Sequence, residues 1–239
     1  MLTRYDSEGA EVAKREFNVV DHPNLPYKGH ASSLDYSPIT GKLYWAWMQP
    51  TLEPKGAAIS EHDPETLEMT RSWSLGDFGD SYLDAIAIDP GTGDFWVNTQ
   101  GRQLVRIPFN PETGPELENA TWYALEGYSH SREAPLTRPW IGNFSGLRVR
   151  EGKAFAFTAT ESAGQADLGP RYNNGLVVYE IGDLLPTTGT EQPENGYSHF
   201  YRYWFPEDIP DQEGGDIIGD HAIITSTGDT IWEIKLEGE

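Results

Sequence analysis

An all-β fold is what this sequence predicts, and three observations predict it. Apolar and β-branched residues come in short runs, with no window that sustains a helical period. Twenty-five Gly and 17 Pro separate those runs, a density that suits many short strands joined by tight turns. A strand-turn-strand unit also recurs along the chain: Pro38-Ile39-Thr40-Gly41 aligns with Pro90-Gly91-Thr92-Gly93, a period of 52 residues. Short strands repeating at such a period are the pattern of a β-propeller.

The clearest unit is Leu83 to Ile107. Its apolar run Leu83 to Ile88 leads into the turn Asp89 to Gly93, then Phe95-Trp96-Val97, then Leu104-Val105-Arg106-Ile107. Val, Ile and Trp suit a buried pleated surface, while Asp, Pro and Gly turn the corners. The first copy runs through Ser33 to Ser37, Lys42 to Trp47, Ala58 to Thr66 and Leu67 to Leu75. Leu117 to Leu125 closes the second. A third holds Ser145 to Val149, Ala154 to Phe157, Leu176 to Ile181 and Tyr197 to Phe205, and a fourth holds Asp216 to Ile218, His221 to Thr225 and Thr230 to Leu236. The fourth lacks an outermost strand, and Val12 to Val19 is expected to supply it. Residues 1–239 thus read as one domain, a ring of four blades with four antiparallel strands each, the N-terminal strand completing the last blade. The alternative is a partial arc of a larger propeller.

Composition narrows the partners. A net charge of −21 excludes nucleic acid, whose phosphates need clustered Lys and Arg, and disfavours anionic membrane surfaces. The acidity reads as a solvated surface, or as carboxylates that bind a cation. With no Cys there is no disulfide, thiolate metal site or Cys nucleophile. No apolar run approaches a membrane span and no secretory signal opens the sequence, so a cytoplasmic protein or part of a particle or surface assembly is expected.

The stretch AIAIDPGTGDFWVNTQGRQLVRI resembles the repeats of NHL-type and six-bladed lactonase-type propellers. SSLDYSPITGKLYWAWMQ, with ISEHDPETLE after it, is similar to repeats of the esterase-like phytase propellers. The lactonase resemblance implies a divalent cation, commonly Ca²⁺, held on the axis by Glu, Asn and Asp of the innermost strands. Carried onto this chain, it implies Asp84, which aligns with Ser32 and Ser145, together with Asn143 and, in the fourth unit, Asp216. These oxygen donors suit a hard cation, although this alignment offers no Glu.

Catalytic templates find no support, since neither G-x-S-x-G nor H-E-x-x-H occurs. His30 precedes an innermost strand, and His221 stands beside Asp220 at a turn. Loops 126–142, 161–175 and 206–215 interrupt the repeat, and the first two carry Tyr128, Trp140 and Tyr172. Aromatics on long loops are the residues of protein or glycan recognition. The expectation is therefore a non-enzymatic binding or assembly module presenting these loops to a protein partner, further copies of itself included, or to a glycan. The alternatives are a cation-dependent hydrolase of the lactonase or phosphoester type and a component of a viral or cell-surface assembly.

Overall fold

The computed structural model describes residues 2–16, 30–49, 56–76, 78, 83–99, 103–125, 143–159, 175–187, 201–204, 212–226 and 230–236. The chain opens with β1 (Leu2–Tyr5) and β2 (Glu11–Arg15). The first blade follows as β3 (His30–Ser37), β4 (Lys42–Gln49), β5 (Gly56–His62) and β6 (Met69–Gly76). The second contains β7 (Ala85–Ile88), β8 (Phe95–Thr99) and β9 (Gln103–Ile107). A short hairpin of β10 (Phe109–Asn110) and β11 (Gly114–Pro115) then leads to β12 (Thr121–Ala124). In the third unit are β13 (Asn143–Arg150), β14 (Lys153–Ala159), β15 (Gly175–Glu180), β16 (Pro186–Thr187) and β17 (Tyr201–Trp204). The last has β18 (Gln212–Ile218), β19 (His221–Ser226) and β20 (Thr230–Lys235).

Each blade is an antiparallel meander that starts at its innermost strand. The innermost strands β3, β7, β13 and β18 converge, with β13 touching the other three. This is the β-propeller arrangement expected from the repeat. One strand departs from the meander: β16, from the third unit, pairs with β12 and extends the second blade.

Consecutive blades bury a core between their faces. Tyr44, Ile59 and Leu75 of the first blade meet Ile86, Phe95, Val97 and Val105 of the second. Trp96 and Leu104 project from the other side of the second blade against Leu147, Val177 and Tyr179 of the third. Adjacent residues of β8 thus serve two different cores, which explains why the strand is buried throughout and reads as a continuous run. The third blade meets the last through Phe157, Leu176, Ile217 and Ile224.

The recurring turn has a physical reason. Gly41 and Gly93 take φ of 66° and 82°, and each N–H closes the turn on the carbonyl of Ser37 or Asp89. Only Gly takes that conformation freely.

The N-terminal strand does not complete the last blade among the described residues. β2 pairs with β1 alone, and β18, β19 and β20 form their own sheet. The reason is a competing apolar surface. Leu2 and Ala13 pack onto Trp45, Trp47, Ala58 and Leu67, the face of the first blade turned away from the second. Arg15 fixes the hairpin there by pairing with Glu68 at 2.5 Å. Phe17 to Val19 lie outside the described residues.

Candidate functional site at the axis

The innermost strands run in the same direction. Ser33 Oγ–H donates to the Ile86 carbonyl at 3.4 Å, and two residues on Asp35 Oδ2 accepts the Ile88 N–H at 2.8 Å. An equal step on both strands means a parallel alignment. Both ends of the axis are therefore defined: a start end, where these strands begin, and a turn end, where they pass into their partners.

Three innermost strands carry a bulge near the start end, at Ser32, Ser145 and Glu213. In the second blade Asp84 holds the same place, its N–H donating to the Asn98 carbonyl at 3.0 Å just before Ala85 pairs with Asn98. The expected match of Asp84 with Ser32 and Ser145 thus follows from the pairing register. In the fourth unit, however, the matching residue is Glu213. Asp216 lies three residues further along, about 10 Å of strand, so it does not share a level with Asp84. The sequence alignment missed this because the bulge adds a residue ahead of Gly214, which has no apolar signature of its own. Asn143 stands at the start of β13, opposite Ala159.

Counting on from the bulge, the third residues are Asp35, Ala87, Arg148 and Asp216. They form an ionic layer across three blades. Arg148 Nε lies 3.2 Å from Asp216 Oδ1 and 3.7 Å from Asp35 Oδ1. Asp216 Oδ1 is also 3.1 Å from Arg150 Nη2 and accepts the Ile217 N–H at 2.7 Å. Burial lifts the Asp35 carboxyl above its ordinary range, while Arg148 and the Ile88 and Tyr36 N–H groups pull it back. A cation at Asp216 would stand beside two guanidinium groups, so this carboxylate is a poor metal ligand. Among the described residues no three His, Cys, Asp or Glu side chains gather to hold a metal.

Beside this layer opens a cleft of about 410 Å³ between the first and last blades. Its lining includes Leu2, Leu34, Trp45, Arg148, Ile223 and Thr225.

The histidines separate by position. His30 opens β3 at the start end. His221 Nδ1 is 2.8 Å from Asp220 Oδ1, the expected pair, but this lies in the tight β18–β19 turn at the turn end. Sequence reading overlooked His62, whose Nε2 is 2.7 Å from Ser60 Oγ. The pair is fully buried, and Ser60 also accepts the Trp47 indole N–H at 2.7 Å. A hydroxyl enclosed this way fastens β4 to β5 and offers no path to a substrate.

Tyr128, Trp140 and Tyr172 lie outside the described residues, as do all of loop 126–142, residues 161–174 of the second loop and 206–211 of the third. Their attachment points are described. Loop 126–142 joins the second blade to β13, loop 161–175 joins β14 to β15, and loop 206–215 runs from the third blade into β18. In an antiparallel meander each of these connections leaves from the start end.

No known family matches the sequence, and no curated protein matches it. Among solved structures the chain is similar to the computationally designed Ika4 protein, at 12% identity and a TM-score of 0.40, covering 96% of this chain and 99% of that one. It is similar to U3-55K at 6% identity and 0.47, covering 88% and 62%. It is also similar to the Cps50 (Swd1) β-propeller domain of Myceliophteria thermophila at 12% and 0.38, covering 96% and 61%. The chain spans less than two thirds of the latter two proteins. Likeness at this level concerns fold alone, and the sheet topology above is what identifies the propeller.

Proposed function

We propose that this protein is a non-catalytic binding module whose ligand face is the start end of the propeller. One observation carries the reading: the topology sends loops 126–142, 161–175 and 206–215 to the end where the innermost strands begin. A rigid array that presents three long loops on one face has the anatomy of a recognition surface. Tyr128, Trp140 and Tyr172 are the proposed anchors, their flat rings suited to a protein or glycan partner.

Display selection with peptide and glycan libraries tests this. Ligands selected on the wild type are measured again on Tyr128→Ala/Trp140→Ala/Tyr172→Ala and on Glu112→Ala/Glu151→Ala at the turn end. The expected result is a loss of about ten-fold or more in the first variant and none in the second. Loss confined to the second places binding at the other end and overturns the reading.

A second reading draws on the shared level of Asp84 and Glu213. With Asn143 they would offer oxygen donors to a hard cation such as Ca²⁺, and that cation would polarise a carbonyl or phosphoryl oxygen in a hydrolase. Calorimetric titration with Ca²⁺ distinguishes it. Saturable binding lost in Asp84→Ala and Glu213→Ala but kept in Asp216→Ala supports the cation site. Absence of binding in the wild type removes it.

A further inference from the structure

We propose that the cleft between the first and last blades binds a small neutral alcohol, its apolar body against the walls and its hydroxyl between Arg148 and the Ser145 and Thr225 oxygens. The space lies among the innermost strands β3, β13 and β18. Gly146, Gly214 and Gly215 all line it and bring no side chains into it. At about 410 Å³ it has the size of a small-molecule site and is too small for a folded partner.

The walls favour an apolar body. Leu2, Leu34 and Ile223 contribute aliphatic surface and Trp45 an aromatic one. Leu2 comes from the N-terminal hairpin, Leu34 and Trp45 from the first blade, and Ile223 from the last. An apolar ligand would therefore bury surface from three separate sheets at once.

The polar groups specify what that body carries. Ser33 Oγ–H donates to the Ile86 carbonyl at 3.4 Å, Ser145 Oγ–H to the Phe157 carbonyl at 3.3 Å, and Thr225 Oγ1–H to the Gly214 carbonyl at 3.3 Å. All three residues line the cleft, and with their hydrogens committed their oxygens are left as acceptors. Ser145 and Thr225 flank Gly214, where a Cβ would lie 3.6 Å from the Ser145 carbonyl and 3.5 Å from Thr225 Oγ1. Arg148 supplies the opposite function. Its Nη1 donates to the Leu147 carbonyl at 2.6 Å and its Nε faces Asp216 and Asp35, whereas Nη2 makes no hydrogen bond among the described residues. A hydroxyl both donates and accepts, so a single group answers a hydroxyl oxygen and Arg148 Nη2 together.

An ionised ligand is not selected. Asp216 is the one acid in the described lining, and its Oδ1 already meets Arg148, Arg150 and the Ile217 N–H. Arg148 is balanced in turn by Asp216 and Asp35. A cation would have to displace a guanidinium group and an anion a carboxylate, and either would shed its hydration on entry. A neutral hydroxyl leaves the ionic layer intact.

The site draws on none of the three proposed loop anchors, so its test stands apart from that of the binding face. Four probes share one ring system and one point of substitution: naphthalenemethanol, methylnaphthalene, naphthoic acid and naphthylmethylamine. Dissociation constants come from titrations followed by ligand-observed NMR. Ile223→Trp fills the cleft, Arg148→Met removes the donor, and the double variant Ser145→Ala/Thr225→Val removes two acceptors. Ile231→Ser, exposed and outside the described lining, is the control. The alcohol should bind at least about ten-fold more tightly than the acid and the amine, and several-fold more tightly than the hydrocarbon. Ile223→Trp should weaken the alcohol by about ten-fold or more, and Ile231→Ser should leave it unchanged. Arg148→Met and the double variant should each abolish the advantage of the alcohol over the hydrocarbon, and the double variant decides the matter if Arg148→Met does not fold. An acid or amine that binds as well as the alcohol overturns the proposal, as does a hydrocarbon that matches it. So does binding indifferent to Ile223→Trp, or no binding of the alcohol up to about 1 mM.

Discussion

Glu61 is enclosed on the face of the first blade turned toward the second, with 5% of its side chain exposed, and four donors from three residues answer its charge. Arg71 donates through Nε and Nη2 at 3.2 and 2.6 Å, Thr70 Oγ1–H at 2.6 Å and Tyr44 O–H at 3.1 Å. Burial alone would raise this carboxyl, but Arg71, Thr70 and Tyr44 together hold it below its ordinary range. Burial and the adjacent Glu61 push the Tyr44 phenol up to about 12. A depressed carboxyl stabilises the fold fully above its unfolded value of 4.5, and that contribution is lost as pH falls through the lower folded value. Glu61→Gln should therefore cost about 2 kcal/mol at neutral pH, reduced from a fully buried pair because Arg71 is partly exposed. The difference from wild type should vanish in strong acid. Urea unfolding across the acid range checks both, and a constant difference would show that the charge is not responsible.

At the scale of elements, the contact between β13 and β18 depends on glycine. A Cβ on Gly215 would come within 2.9 Å of the Ile223 carbonyl and press into the Phe157 ring, and one on Gly146 would come 3.1 Å from the Gly215 amide. The last blade therefore sits close only because these side chains are missing. Gly215→Ala should destabilise by about 1–3 kcal/mol through overpacking, read as a lower midpoint in thermal unfolding. Gly9→Ala meets no atom within 4 Å, and its φ of 83° limits the loss to backbone strain of about 1 kcal/mol. A larger effect at Gly9 than at Gly215 would contradict the close approach. The fifth strand of the second blade has a matching role: β16 crosses from the third unit to pair with Trp122 and Tyr123, tying two blades by backbone bonds.

For the whole molecule, the charge of −21 opposes compaction while the Asp35–Arg148–Asp216 layer draws three blades together. Surface repulsion is screened by salt, with a Debye length near 10 Å at about 0.1 M, and the half-buried axial layer is screened less. Thermal midpoints should therefore rise as salt is added. Arg148→Leu should lose about 1–2 kcal/mol, an estimate discounted for the exposure of Asp216. It leaves two carboxylates facing each other, so calorimetry in rising salt should show the variant recovering part of its deficit. Falling stability with salt in the wild type would mean that attraction, not repulsion, dominates the surface.

The strands, the repeat and the turn chemistry were legible in the sequence, because alternation and Gly at positive φ are properties of a few neighbouring residues. Asp84 could be aligned with Ser32 and Ser145 for the same reason. Tertiary structure decided the rest. The level of Asp216 depended on a bulge at Glu213 that pairing alone reveals, and its arginine partners come from another blade. The N-terminal strands went to the first blade because Trp45 and Trp47 present an apolar face that only the folded sheet assembles. Local pattern specifies each blade, while the contacts between blades join residues far apart in the chain, and no short window of sequence contains them.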